Sequence, residues 1–190
     1  MKRRESRDKI VEAARRLFYE AGFEQTSFAD LAERSGIPKG NFYYHFRSKD
    51  ELLTAVLDAR IQHVRVCLED WGQRLRSPQE KLRRFVRMMT SEETDLVQYG
   101  CPLGSLLTEL GKRRADLREH ARVMMDLYRD WLAARFVELG VSPRQASSLA
   151  VRILARTQGA VLMAQAYDDA TLLRREVKDI ESWLESFSGE

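Results

Sequence analysis

Apolar residues recur along most of this chain at intervals of three and four positions, the spacing that places them on one face of an α-helix. Short stripes come first, at Ile10, Ala14 and Phe18 and then at Phe28 and Leu31. Further stripes follow over residues 49–75, 78–99, 103–111, 115–139, 143–167 and 171–187. No stretch alternates apolar and polar residues as a half-buried strand does. The pattern therefore predicts an all-α chain of about nine helices.

Residues that typically begin and end helices separate these stripes. Ser6 opens the first helix and Gly22 closes it, while Ser27 with Asp30 has the spacing of a capping box. Gly36 ends the second helix after about two turns. Proline, which tolerates the first position of a helix, stands at Pro38, Pro78 and Pro143. Three short helices with a glycine in the turn between the second and the third predict a helix-turn-helix.

The third helix has the polar face that a helix needs in order to enter the major groove of DNA. Phe42 and Phe46 are four residues apart and can anchor one side of the helix to a core. Gly40 allows a close approach of the backbone to DNA. The major groove is about 12 Å wide and admits one helix. This segment is therefore the candidate recognition helix.

The distribution of charge agrees with this interpretation but adds little weight. The 190 residues are 44% hydrophobic and 32% charged, which suits a soluble protein with an ordinary core. Residues 1–50 contain eleven Lys and Arg against eight Asp and Glu, so they hold the whole net charge of +3. Clustered cations favour nucleic acid, although a solvated helical face gives the same count.

The sequence has none of the features that direct a chain into or across a membrane. It contains no run of eighteen apolar residues, and no apolar stretch follows its basic start as in a secretory signal. The two cysteines, Cys67 and Cys101, do not make a disulfide framework. We expect a cytoplasmic protein with no membrane partner.

The run from Thr26 to Leu53 resembles the DNA-binding domain of the TetR family of bacterial transcriptional regulators. Its most specific parts are Tyr43-Tyr44-His45-Phe46, the Ser48-Lys49 pair and the acidic-Leu-Leu element that ends at Leu53. The resemblance covers about residues 6–55. Pro38 departs from the family pattern, which often has a hydroxyl residue there, and proline cannot supply the cap or phosphate contact of a hydroxyl.

The resemblance implies DNA-contacting roles for individual residues. Thr26, Ser27, Tyr44 and Lys49 match positions on the phosphate side, and the groove-facing set is Lys39, Gly40, Asn41, Tyr43 and His45. Tyr43 can equally serve in packing, and His45 can simply be an exposed residue near a helix end. Lys2, Arg3 and Arg4 form a basic arm that either reaches the adjacent minor groove or stays disordered.

The division expected from the resemblance is a DNA-binding domain over residues 1–50 and a helical domain over residues 51–190 for ligand binding and dimerisation. Methionine adapts to irregular spaces, and five methionines lie in the second part. The candidate effector pocket, which these residues can also fill as ordinary core, comprises Phe85, Met88, Met89, Cys101, Leu106, Leu107, Met124, Tyr128, Trp131, Gln158 and Met163.

The last two helices are the candidate dimer interface. Small residues allow two helices to approach closely, and larger residues supply apolar area. The predicted interface residues are Ala146, Ala150, Ala160, Ala164, Val177, Ile180 and Leu184. A two-fold dimer would read two half-sites about 34 Å or more apart, so the operator is expected to be palindromic.

Cys101 admits two interpretations. It precedes Pro102 at the start of a short helix, where the thiolate is favoured, and the segment resembles one found in family members that sense electrophiles. A free cysteine is more often a small buried apolar residue.

The function expected on these grounds is that of a homodimeric repressor released from operator DNA by a small-molecule effector. An activator, or a helical protein that only binds small molecules, remains an alternative. The three histidines are far apart, and no nucleophile elbow, phosphate loop or metal-spaced cluster is present. No catalytic residue, metal or cofactor is predicted, and no helix has the basic and aromatic faces of a membrane-surface helix.

Overall fold

The computed structural model describes residues 2–111 and 114–187, and these residues are almost entirely helical. They form ten helices: α1 Lys2–Glu20, α2 Phe28–Ser35, α3 Lys39–His45, α4 Lys49–Arg74, α5 Pro78–Ser91, α6 Glu93–Tyr99, α7 Pro102–Leu110, α8 Ala115–Glu138, α9 Pro143–Tyr167 and α10 Ala170–Glu185. The all-α prediction is confirmed. No strand occurs among the described residues.

Two of the helices differ from the expectation by more than two residues. The first helix begins at Lys2 rather than at Ser6. The helix expected over residues 78–99 is divided at Glu92, whose backbone (φ −117°, ψ 17°) leaves the helical region. Just before the break, the hydroxyl of Ser91 donates to the carbonyl of Met88 and that of Thr90 to Arg87. Hydroxyl groups that bond to the preceding turn in this way compete with the helix and weaken it.

The chain divides into two compact units. The first comprises the chain up to His63 together with Ser105–Arg122, and the second comprises Val64–Gly104 and the chain from Val123 onward. Helices α4, α7 and α8 therefore contribute residues to both units. This association of residues 105–122 with the N-terminal helices is not visible in the sequence.

The first unit is built around apolar residues of α1 to α4. Ile10, Leu31, Phe42 and Leu53 are fully buried. Glu20 of α1 binds Arg34 of α2 at 2.6 Å. One shared core thus holds α1, α2, α3 and the start of α4.

The second unit has a continuous core formed mainly by α5, α9 and α10. Leu82, Ile153 and Ile180 are completely buried in it. Phe136 of α8 lies with its ring centroid 6.1 Å from that of Trp183 and 5.4 Å from that of Phe187. Among the described helices, none has the length and apolar character needed to cross a membrane.

Candidate nucleic-acid interface

Helix α3 is anchored on one side and exposed on the other. Phe42 is completely buried and Phe46 is 1% exposed, which confirms the predicted anchors. Lys39, Gly40 and Asn41 are exposed, and Tyr43 and Tyr44 are 56% and 64% exposed. The seven residues span about 10 Å, so the whole polar face can lie within one groove.

Helix α2 supports α3 through an aromatic cluster. The ring of Phe28 lies 5.8 Å from that of Phe42 and 5.4 Å from that of Tyr43, between ring centroids. Tyr43 therefore has both features considered for it, a packed ring and an exposed edge. Gly36 (φ +66°) ends α2 in the left-handed region, where a glycine is favoured, and turns the chain toward α3.

His45 takes an intermediate position at the end of α3. It is half-buried, and its ring centroid lies 5.2 Å from that of Tyr44 and 6.5 Å from that of Phe46. The contact with Tyr44 is edge-to-face, an arrangement that favours one ring orientation. His45 thus helps to orient Tyr44.

The two hydroxyl residues before α2 lie in different environments. Thr26 is 3% exposed, and its hydroxyl donates to the carbonyl of Gly22 at 2.7 Å. Ser27 is exposed and caps α2, because its Oγ accepts the N–H groups of Ala29 and Asp30 at 3.2 Å each. Asp30 accepts the N–H of Ser27 at 2.7 Å, which completes the predicted capping box. Only Ser27 of this pair presents its side chain at the surface.

Lys49 is engaged within the first unit. Its Nζ donates to the carbonyl oxygens of Phe23, Glu24 and Thr26 at 2.8, 3.1 and 3.1 Å. It also lies 4.6 Å from the centroid of the Phe23 ring. Its side chain therefore has a structural task besides the phosphate contact that the sequence predicts.

The basic residues at the N-terminus are part of α1. The helix includes Lys2, Arg3 and Arg4, so this segment does not have the extended backbone of an arm. Further along α1, the guanidinium of Arg7 lies 5.1 Å from the centroid of the Phe46 ring. That contact joins α1 to the end of α3.

The residues predicted to line an effector pocket are brought together only in part. Phe85 and Met89 are buried in the core of the second unit, and the half-buried residues packed against that core include Met88, Cys101, Tyr128 and Trp131. The rings of Phe85 and Tyr128 lie 5.3 Å apart. Met124 is buried and Gln158 half-buried in the same unit, but Met163 is 46% exposed and does not face its interior. Leu106 and Leu107 belong to the first unit.

Cys101 stands at the start of α7 as the sequence predicts. Its Sγ accepts the backbone N–H of Gly104 at 3.4 Å. The side chain of Gln158 comes so close that a Cβ at residue 104 would lie 2.6 Å from its Oε1. A larger residue here would displace the end of the Gln158 side chain, so Gly104 lets Gln158 of α9 lie against the start of α7. In the described part of the chain, no group of three or more His, Cys, Asp or Glu could hold a metal.

Most of the residues predicted to form the dimer interface are buried within the protomer. Ala146, Ala150, Ala164, Ile180 and Leu184 are completely buried, Val177 is 6% exposed, and Ala160 is half-buried. They pack α9 and α10 against each other and against α5, and a buried side chain offers no surface to a second chain. The expectation is therefore corrected at the level of residues.

A different face of α9 is apolar and exposed. It carries Val151, Ala155, Gly159, Leu162 and Ala166, of which Val151 is 51% and Leu162 64% exposed. These residues recur at intervals of three and four positions and so share one side of the helix. This second stripe is present in the sequence, but the candidate dimer interface predicted from the sequence was the alanine-rich stripe beside it.

Two family models match the chain, and together they cover most of it. Residues 10–56 match the model described as bacterial regulatory proteins, tetR family. Residues 78–178 match the model described as the C-terminal domain of LmrA/YxaF-like transcriptional regulators. The first match contains α2, α3 and the residues on the exposed face of α3.

Similar proteins match over nearly the whole length. An HTH-type transcriptional regulator encoded in the lacX 3' region of Lactococcus lactis is 30% identical over 176 residues, which cover 90% of this chain and 88% of that protein. The HTH-type transcriptional regulator LmrA of Bacillus subtilis is 26% identical over 175 residues, covering 89% and 91%. The crystal structure of a TetR transcriptional regulator from Chloroflexus aurantiacus superimposes with a TM-score of 0.84 at 26% identity, covering 97% and 96%.

Proposed function

The chain belongs to the TetR family of bacterial regulatory proteins and is a transcriptional regulator with a helix-turn-helix DNA-binding domain; from this premise we propose that it is a homodimeric repressor released from its operator by a small molecule. Regulators of this family are DNA-binding proteins rather than enzymes, which is the class that the sequence predicts. The observation that carries the proposal is the exposed polar face of α3 on a buried aromatic anchor.

The contacts to DNA fall into two groups. Lys39, Asn41 and Tyr43 face the bases, where asparagine can pair with adenine and lysine with guanine. Ser27, the N-cap of α2, and the exposed Tyr44 donate to phosphate oxygens, since serine and tyrosine hydroxyls are common donors to the DNA backbone. Gly40 lets the α3 backbone approach the groove, and Lys49 holds the turn before α2.

The dimer forms when the exposed face of α9 packs against the same face of a second copy of the chain. Gly159 and the flanking alanines allow two helices to approach closely, and Val151 and Leu162 supply apolar area. An apolar stripe of this length is uncommon on the surface of a monomer. A two-fold pairing of α9 with its copy gives the symmetry that a palindromic operator requires.

The effector binds between the helices of the second unit, in the region of Phe85, Met88, Tyr128 and Trp131. These half-buried and buried side chains combine aromatic faces with flexible thioethers, a composition that suits an apolar ligand of moderate size. The effector must bind the DNA-free conformation more tightly in order to release the operator. The protein acts where the DNA is, in the cytoplasm.

The test is fluorescence anisotropy with a labelled duplex from upstream of the protein's own gene, across a salt series. We expect binding at least about a thousandfold tighter than to scrambled DNA. Tyr44→Ala should weaken it and Tyr44→Phe should reproduce the loss, because the phosphate contact needs the hydroxyl. Equal affinity of all three proteins would contradict the role of Tyr44.

The same assay tests release. A compound that binds the second unit should lower operator affinity by a factor of about 5 to 150. Simultaneous binding of compound and operator at full affinity would contradict the repressor mechanism. Absence of binding to any duplex at low salt would favour the alternative, a helical protein that only binds small molecules.

A further inference from the structure

The turn between α1 and α2 has its amide groups bound by a distant side chain. Glu109 of α7 accepts the backbone N–H of Phe23 at 3.0 Å through Oε2 and that of Glu24 at 2.7 Å through Oε1. Both carboxylate oxygens are therefore used on consecutive amides. Hydrogen bonds to a charged acceptor are roughly twice as strong as neutral ones.

Glycine at position 22 sets the backbone of the turn beside this carboxylate. Its φ of +90° is in the left-handed region, where any other residue would be strained. A Cβ added there would lie 3.4 Å from Oε1 of Glu109, an ordinary van der Waals distance. The turn therefore needs Gly22 for its backbone conformation and Glu109 for its amide groups.

The carbonyl groups of the same turn are bound by Lys49, as described above. The carboxylate of Glu109 thus accepts the N–H groups of the turn, and the ammonium group of Lys49 donates to its carbonyl groups. Loops between helices commonly leave such groups to water. Here side chains from α7 and α4 fix the backbone of residues 23–26.

Two more contacts join the stretch Ser105–Arg122 to α4. Arg114 binds Asp50 through both terminal nitrogens of its guanidinium, with Nη1 2.8 Å from Oδ1. Nε2 of His120 lies 2.9 Å from Oδ1 of Asp58. Glu109 is the one of these three that reaches the turn itself.

The turn leads directly into the DNA-binding helices. It ends at Thr26, and the next residue, Ser27, caps α2, which supports α3 through Phe28. A displacement of Phe23 and Glu24 therefore moves the start of α2 and the support of α3.

We propose that Glu109 is a positioning residue for DNA binding, whose carboxylate fixes the α1–α2 turn and thereby the placement of α2 and α3 on the operator. The proposal rests on the proposed function, because it concerns operator affinity. Glu109 itself does not touch DNA, and it acts through the backbone of Phe23 and Glu24.

The direction in which operator affinity changes distinguishes a positioning role of Glu109 from an effect of its charge alone. Removing an acidic side chain from a DNA-binding protein lessens repulsion of phosphate and by itself strengthens binding. Loss of positioning weakens binding. Glu109→Ala is therefore expected to bind more weakly although it carries one negative charge fewer.

The experiment compares Glu109→Ala with Glu109→Gln and with the matched control Glu119→Ala. Glu119 lies in the same stretch of chain, is 64% exposed and pairs with Arg122 on its own helix. The probe is a duplex selected from a random pool by the wild-type protein. Amide hydrogen exchange of Phe23 and Glu24 is measured on the same four proteins without DNA.

We expect Glu109→Ala to bind the duplex about tenfold more weakly, Glu109→Gln to fall between it and the wild type, and Glu119→Ala to bind at least as tightly as the wild type. Exchange should accelerate at Phe23 and Glu24 and stay unchanged inside α1 and α4.

Three results would overturn the proposal. Undiminished affinity of Glu109→Ala would show that the turn does not control DNA binding. Faster exchange throughout the first unit would make Glu109 a residue of general stability. A wild-type protein that selects no duplex would remove the proposed function and this inference with it, whereas tight binding by both wild type and Glu119→Ala upholds the function whatever Glu109 does.

Discussion

Single side chains in the first unit have tasks that their residue types alone do not reveal. Lys39 and Lys49 are both lysines of the helix-turn-helix region, but one is exposed on α3 and the other binds three carbonyl groups. The sequence identified both as DNA contacts. It could not show the carbonyl groups around Lys49, because they come from a turn more than twenty residues away.

Replacing each lysine by methionine separates the two tasks. Lys49→Met leaves three carbonyl groups without their donor, and we expect a loss of about 1–3 kcal/mol in the free energy of unfolding. Lys39→Met should change stability by less than about 0.5 kcal/mol and weaken operator binding by about 1–3 kcal/mol while relaxing the preference for guanine at one position. Urea unfolding measures the stability, and anisotropy with operator duplexes altered at single positions measures the affinity. Equal stability of the two variants would contradict the role assigned to Lys49.

At the scale of elements, the boundaries that the sequence predicted well are those set by local chemistry. The capping boxes at Ser27 and Ser77 begin α2 and α5 as expected, because cap and helix are neighbours in the chain. The sequence did not predict the break at Glu92. Thr90 and Ser91 weaken the helix only when their hydroxyls donate to carbonyl groups of the preceding turn, and the sequence does not show which rotamers they adopt. The exposed face of α9 was missed because both of its faces are apolar, and only packing decides which one is inside.

The two capping boxes provide a matched pair of variants. Ser27→Ala and Ser77→Ala should each cost about 1 kcal/mol of stability. Only Ser27→Ala should also weaken operator binding, because Ser27 is a proposed phosphate donor and caps α2, which supports α3, whereas α5 has neither role. Thermal unfolding and anisotropy measure these effects, and a loss of operator affinity in Ser77→Ala would contradict the assignment.

The α2 cap also depends on pH. The N–H of Ser27 holds the pKa of Asp30 below its ordinary value of 3.8. A carboxyl whose pKa is lowered by folding stabilises the folded state above its unfolded pKa, and this contribution is lost as the pH falls through the lowered value. Asp30→Asn should therefore flatten the acid side of the stability profile.

At the scale of the whole molecule, the sequence predicted the family, the all-α class and the location of the DNA-binding helices. It did so because residues 26–53 carry a dense local motif. The sequence did not predict that Ser105–Arg122 packs with the N-terminal helices. Glu109, Arg114 and His120 bind residues that are distant from them in the sequence. The C-terminal helices carry no sequence motif as specific as that of residues 26–53. The sequence therefore does not predict which side chains of these helices contact one another.

The proposed dimer gives a prediction at this scale. Val151 and Val66 are almost equally exposed, 51% and 53%, on different helices. Val151→Arg would place like charges opposite each other across a two-fold axis, so we expect monomers and operator binding weaker by about a hundredfold or more. Val66→Arg on α4 should stay dimeric. Light scattering after size exclusion measures the mass, and a dimeric Val151→Arg protein would exclude the α9 face.

The proposed pairing of the α9 face with its own copy has a genetic consequence. In a cell that makes both the wild-type chain and one with a damaged recognition helix, the intact α9 faces still join the two products. When the two chains are made in equal amounts and pair at random, about half of the wild-type subunits are trapped in mixed pairs that hold only one half-site. Alleles that damage α3 should therefore be dominant over the wild type, whereas alleles that damage the α9 face should be recessive, because their products leave the wild-type subunits to pair among themselves.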